Sequence, residues 1–112
     1  MSTERIKILE QYLMEEPDDA FTLYGIALEF VKMQGYNTAN NYFSTLVNKH
    51  PDYLPAYYHF GKSYEMLDEK EKANQLYLKG IELAKNQNDQ HTLKELQQAF
   101  NSLNGIEEDD FE

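Results

Sequence analysis

An all-α fold of repeated antiparallel helix pairs is what this sequence predicts, and three observations predict it. Pro17 and Pro51 stand 34 residues apart, and each is followed by aspartate. At that same offset, segments 20–53 and 54–87 match in residue size: Leu23 with Tyr57, Ile26 with Phe60, Ala27 with Gly61, Phe30 with Tyr64, Ala39 with Ala73, Phe43 with Tyr77 and Leu46 with Gly80. Within each segment the apolar residues recur at i, i+3, i+4 and i+7, which places them on one helix face. A strand would need sustained period-two alternation, and none occurs.

The elements follow in order. Residues 1–16 carry Ile6, Leu9 and Leu13 at helical spacing and read as one helix, half of a preceding pair. In segment 20–53, Leu23, Ile26, Ala27 and Phe30 form a first stripe, and Ala39, Phe43, Leu46 and Val47 a second. The break between them is "MQGYNT", where Asn37 is a candidate N-cap. In segment 54–87 the stripes are Tyr57, Phe60, Gly61, Tyr64 and then Ala73, Leu76, Tyr77, Gly80, Ile81. Here Asp68 is the candidate cap, with Glu71 three residues on completing a capping box. Pro51 closes one unit, and Pro55 begins the next helix. Ala27 with Ala39, and Gly61 with Ala73, are small where two helices must cross closely. Residues 88–104 form a last helix from Asn88 or Asp89 to about Leu103, with Leu93, Leu96, Phe100 and Leu103 on one face. Gly105 is the expected stop.

Composition narrows the function. With 112 residues the chain is one small domain with a modest core. It has no cysteine, so disulfide and thiolate chemistry are excluded. The formal net charge is −10, which disfavours nucleic acid and anionic membrane surfaces as partners. Five of the 20 acids lie in residues 105–112, "GIEEDDFE", without a base; that acidic tail is expected to be disordered. Neither a signal-peptide core nor a membrane-length apolar run is present, so a soluble, cytoplasmic protein is expected.

The paired stripes, the small residues at the crossings and the 34-residue period resemble the tetratricopeptide repeat. The resemblance covers 20–87 closely. It departs where the second unit's terminal proline would fall, at Lys85, before the longer polar turn "KNQNDQHT". It implies a short right-handed solenoid of about six helices, with residues 1–16 a half-repeat and 88–104 a capping helix.

The resemblance also implies a ligand face along the first helices of successive units. Carried onto this sequence, that face comprises Phe21, Tyr24, Leu28, Val31 and Lys32 from the first unit. Tyr58, His59, Lys62 and Met66 come from the second, and Lys94 and Gln98 from the last helix. Several aromatics with a few cations suit a peptide or helix of a partner protein. The competing use of the same aromatics is a homodimer interface. The family's clamp for acidic chaperone C-termini needs lysine, asparagine and arginine where this chain has Tyr24, Leu28 and His59, so that ligand class is not expected.

Catalysis is not expected either. His50, His59 and His91 have no second His or Cys at metal-ligand spacing, so no metal is implied. A His59–Glu65 acid–base pair is conceivable, but no nucleophile, oxyanion loop or phosphate cradle accompanies it. The expected protein is a non-catalytic interaction module without a cofactor.

Overall fold

The computed structural model describes residues 2–106, so the acidic tail from Glu107 onward lies outside the described residues. Among the described residues six helices follow one another: α1 (Ser2–Glu15), α2 (Ala20–Lys32), α3 (Tyr36–Lys49), α4 (Pro55–Met66), α5 (Lys70–Asn86) and α6 (Gln90–Leu103). They group into two compact units that meet in sequence between Ala56 and Tyr57. Among the described residues, no helix is long and apolar enough to cross a membrane.

In the first unit α2 packs against both α1 and α3. Leu23, Ile26 and Ala27 of α2, and Ala39, Phe43 and Leu46 of α3, are almost wholly removed from solvent. Burial of each large member stabilises the unit by about 1.5–3 kcal/mol. Ile6 of α1 is buried and Leu9 and Leu13 are half-buried, so the stripe read from the sequence faces the core. Asp19 caps α2, its carboxylate accepting from the Thr22 backbone N–H at 2.9 Å and from its hydroxyl at 2.6 Å. Those two bonds, the hydroxyl's first, hold the Asp19 carboxyl below the usual aspartate value. The His50 imidazole bonds to the Asp18 carbonyl oxygen, tying the end of α3 to the loop before α2.

In the second unit the small residues do what their spacing implies. A Cβ at Gly61 of α4 would stand 2.8 Å from Cδ1 of Tyr77 in α5, so only glycine lets that ring approach the helix so closely. Gly80 of α5 likewise leaves room for Leu96 of α6 and for Tyr57, each within 2.9 Å of a notional Cβ. Tyr77, Leu96 and Ala99 are buried as a result. Asp89 caps α6 through the Thr92 N–H at 3.0 Å and hydroxyl at 2.8 Å, and these bonds hold its carboxyl below the usual value.

Four helices end alike. In α2, α4, α5 and α6 the second residue past the helix cap returns its N–H five residues back: Gly35 to Phe30, Glu69 to Tyr64, Asp89 to Ala84 and Ile106 to Asn101. The residue between is left-handed in each case: Gln34, Asp68 and Asn88 at φ near +60°, and Gly105 at +69°. This closure corrects two expectations. It ends one helix and starts the next so quickly that α3 begins at Tyr36, which puts Asn37 inside the first turn rather than at its cap. Asp68 is the left-handed residue that ends α4, and Glu69 takes the cap position of α5 without a side-chain bond.

Candidate functional site

In the first unit, Phe21 is the most open of the predicted contact residues, at 70% exposure. Tyr24 is half-buried, with its ring 5.4 Å from that of Tyr53. Leu28 and Val31 are also half-buried. Lys32 is exposed but engaged: its ammonium lies 3.0 Å from Oε2 of Glu29, and Nε of Arg5 in α1 lies 3.3 Å from the same oxygen. Glu29 is itself buried, with 5% of its side chain exposed. Sequence reasoning missed this carboxylate. The signal was an acid set next to the apolar stripe of α2, three residues beyond Ile26, with a cation in α1 to receive it.

The second unit brings Tyr58, His59 and Lys62 together on α4. The His59 ring meets the Tyr58 ring edge-on at 5.2 Å, and the Lys62 ammonium stands over the Tyr58 ring at 5.7 Å. The same ammonium is 3.8 Å from Oε2 of Glu65. The Tyr77 hydroxyl donates to Glu65 as well, so an aromatic face, a cation and a carboxylate are linked back to the core of the unit. Burial first, and then the Glu65 hydrogen bond and charge, push the Tyr77 phenol above its ordinary range.

His59 is half-buried, and desolvation pulls its imidazole below the usual value against the opposing charge of Glu95 in α6. Glu95 is thus a carboxylate whose charge acts on His59. Glu65 meets Tyr77 and Lys62. Met66, at the end of α4, is 63% exposed.

Lys94 and Gln98 are brought into a different groove. They line it with Leu78 and Ile81 of α5 and with Phe100 and Ile106, and neither Tyr58 nor His59 is among its lining residues. Among the described residues, no three His, Asp or Glu side chains converge as a metal ion would require.

Helix pairs with small residues at their crossings and an aromatic and cationic face on a first helix define a helical-repeat protein. Comparison with known proteins makes this specific. No family model matches the chain, and no curated protein does. Among solved structures it is similar to a tetratricopeptide repeat domain protein from Salinibacter ruber, at 41% identity and a TM-score of 0.75, over 82% of this chain and 93% of that one. The chain belongs to the tetratricopeptide repeat family. Two more distant structures share the fold. PcrH in complex with the chaperone binding region of PopD superposes with a TM-score of 0.87 at 14% identity, over 93% of this chain and 79% of that one. The first such domain of Spaghetti, bound to an HSP90 peptide, gives 0.73 at 20%, over 88% and 79%.

Proposed function

We propose that this chain is a non-catalytic protein-interaction module that binds a peptide or helix of a partner protein on the α4 face of its second unit. The observation that carries the proposal is the fixed position of Lys62. Its ammonium is held between the Tyr58 ring and the Glu65 carboxylate, with His59 at the ring's edge. Such a cation gives up little conformational freedom when it meets a carbonyl or carboxylate of a partner, and the Tyr58 ring offers apolar area beside it. Met66 extends that face, and Phe21 is the corresponding open aromatic of the first unit.

The related structures support the reading, since PcrH and the Spaghetti domain were each solved with a bound protein segment. The lysine–asparagine–arginine set for acidic chaperone tails is replaced here by Tyr24, Leu28 and His59, so the partner is of another class. Lys94 and Gln98 belong to the other groove and are not counted in this site.

The test is affinity capture from the cell of origin with the partner identified, followed by binding measurements on variants. Binding lost on Lys62→Glu and Tyr58→Ala, and retained on Lys79→Glu at an exposed site of α5, is the expected outcome. Binding indifferent to Tyr58 and Lys62 would move the site elsewhere. A dimer in light scattering that dissociates on Tyr58→Ala would instead assign these aromatics to self-association.

A further inference from the structure

Asn104 and Gly105, at the end of α6, form the one Asn-Gly pair in the sequence, and every other asparagine is followed by a residue with a side chain. The glycine matters because its backbone nitrogen is the internal nucleophile that deamidates asparagine, and no side chain hinders its approach. In that reaction a bond forms between the Gly105 nitrogen and Cγ of Asn104, while the bond from Cγ to Nδ2 breaks. Ammonia leaves with the proton that the Gly105 nitrogen gives up. Water then opens the five-membered imide, to aspartate at one carbonyl or to isoaspartate at the other. Water is the only co-reactant, and Gly105 is exposed to it.

The folded chain holds this pair in an unreactive arrangement through three constraints. Asn104 is joined amide to amide with Asn74 of α5: its Nδ2 donates to Asn74 Oδ1 at 2.8 Å, and Asn74 Nδ2 donates back to Asn104 Oδ1 at 3.2 Å. The Asn104 Nδ2 also donates to the Phe100 carbonyl at 2.7 Å, so the side chain is fixed from two directions. The backbone is the second constraint. At ψ 7° the Gly105 nitrogen sits beside the nitrogen of Asn104 itself and away from Cβ, out of reach of Cγ. Third, the Gly105 N–H donates to the Ser102 carbonyl at 3.4 Å, which retains the proton that attack requires it to lose.

We propose that Asn104 is a spontaneous deamidation site whose rate is set by its pairing with Asn74. The closed end of α6 protects the amide, and each local opening of that end exposes it to imide formation. The product cannot close the end again in the same way. A carboxylate has no N–H to offer Asn74 Oδ1 or the Phe100 carbonyl. It also sets a negative charge at the C-terminus of α6, where the helix dipole is already negative. The reaction is a one-way loosening of the last helix end, and with it of the groove wall formed by Phe100, Asn101 and Ile106.

The test incubates the full chain at mildly alkaline pH, in buffer and in denaturing urea, and follows aspartate and isoaspartate at residue 104 by peptide mapping. Conversion should be slow in buffer and fast in urea. Asn74→Ala, whose folding circular dichroism checks, should speed conversion in buffer by about tenfold, since two side-chain hydrogen bonds are lost. In urea its rate should coincide with the parent's. Asn74→Asp still accepts from Asn104 Nδ2 and should fall between the two. Gly61→Ala weakens the same unit but keeps the Asn74–Asn104 pair, so it should convert more slowly than Asn74→Ala. A parent rate in buffer equal to that in urea overturns the proposal, as does an Asn74→Ala rate equal to the parent's. A Gly61→Ala rate matching that of Asn74→Ala overturns it too, because general instability would then govern the reaction. Absence of conversion at residue 104 even in urea would remove the site altogether.

Discussion

The Tyr77 hydroxyl donates its hydrogen bond to the Glu65 carboxylate while the Tyr77 ring lies against Gly61. One buried side chain thus fills the α4–α5 crossing and fixes the acid that positions Lys62. Tyr77→Phe keeps the packing and removes the bond; it is expected to cost about 1–2 kcal/mol, read by urea denaturation. The raised phenol also sets an alkaline limit. An unfolded tyrosine ionises near 10, so this contribution is complete below that pH and is lost as pH rises above it. The stability of Tyr77→Phe should fall less steeply above pH 10 than that of the parent.

Glycine-to-alanine exchanges separate packing from helix propensity. Gly61→Ala forces a methyl group into the Tyr77 ring and should destabilise by about 1–3 kcal/mol, despite the better helix former. At Gly25 the nearest atom to a new Cβ is Leu9 Cδ1 at 3.4 Å, the flexible end of a half-buried side chain. Gly25→Ala should therefore be neutral or stabilising by up to about 1 kcal/mol. Thermal melts of the two variants should move in opposite directions or differ widely.

His59 predicts an acid-side loss of stability. Its folded value lies below the unfolded 6.5, so the unfolded chain takes up the proton first. The contribution is complete above pH 6.5 and is lost as pH falls through the lowered folded value. His59→Gln should flatten the stability profile in that window. Asp19 and Asp89, both lowered from 3.8, lose their contribution only at more acid pH, so the two effects are separable in one titration.

Lys32 serves the fold as well as any surface. Lys32→Glu sets a second carboxylate beside buried Glu29 and replaces one of the cations that pair with it, while Arg5 stays in place. A loss of about 1 kcal/mol is expected, limited by the 65% exposure of the lysine side chain. Lys32→Gln should cost less. Calorimetry on both variants separates this effect from any change in partner binding.

How much was legible in the sequence depends on whether one residue or several carried the signal. The helix pairs were, because Ala27, Gly61, Phe43 and Tyr77 repeat size and spacing together, and a period of that length has few other physical causes. Asp68 was misread as a cap because residue type alone does not distinguish an N-cap from a left-handed helix end, and Asn37 because α3 starts one residue before it, at Tyr36. Within the site, Tyr58, His59 and Lys62 share a face by spacing, and the structure places them in contact. Lys94 and Gln98 separated from them because α6 packs against α5 and turns these two side chains into the groove with Leu78 and Ile81; the longer polar turn expected before α6 is only residues 87–89, since α5 runs on to Asn86. Glu29 was hidden because its burial depends on Arg5, which lies in another helix.

Gln34, Asp68 and Asn88 occupy left-handed positions that suit glycine better, and none of the three belongs to the proposed binding face. Each Gly substitution there would relieve about 1 kcal/mol of backbone strain. The protein therefore carries a mutational reserve at its helix ends. Changes on the α4 surface that alter partner choice and weaken the fold can be compensated at these turns, so recognition is free to diverge while the scaffold stays folded.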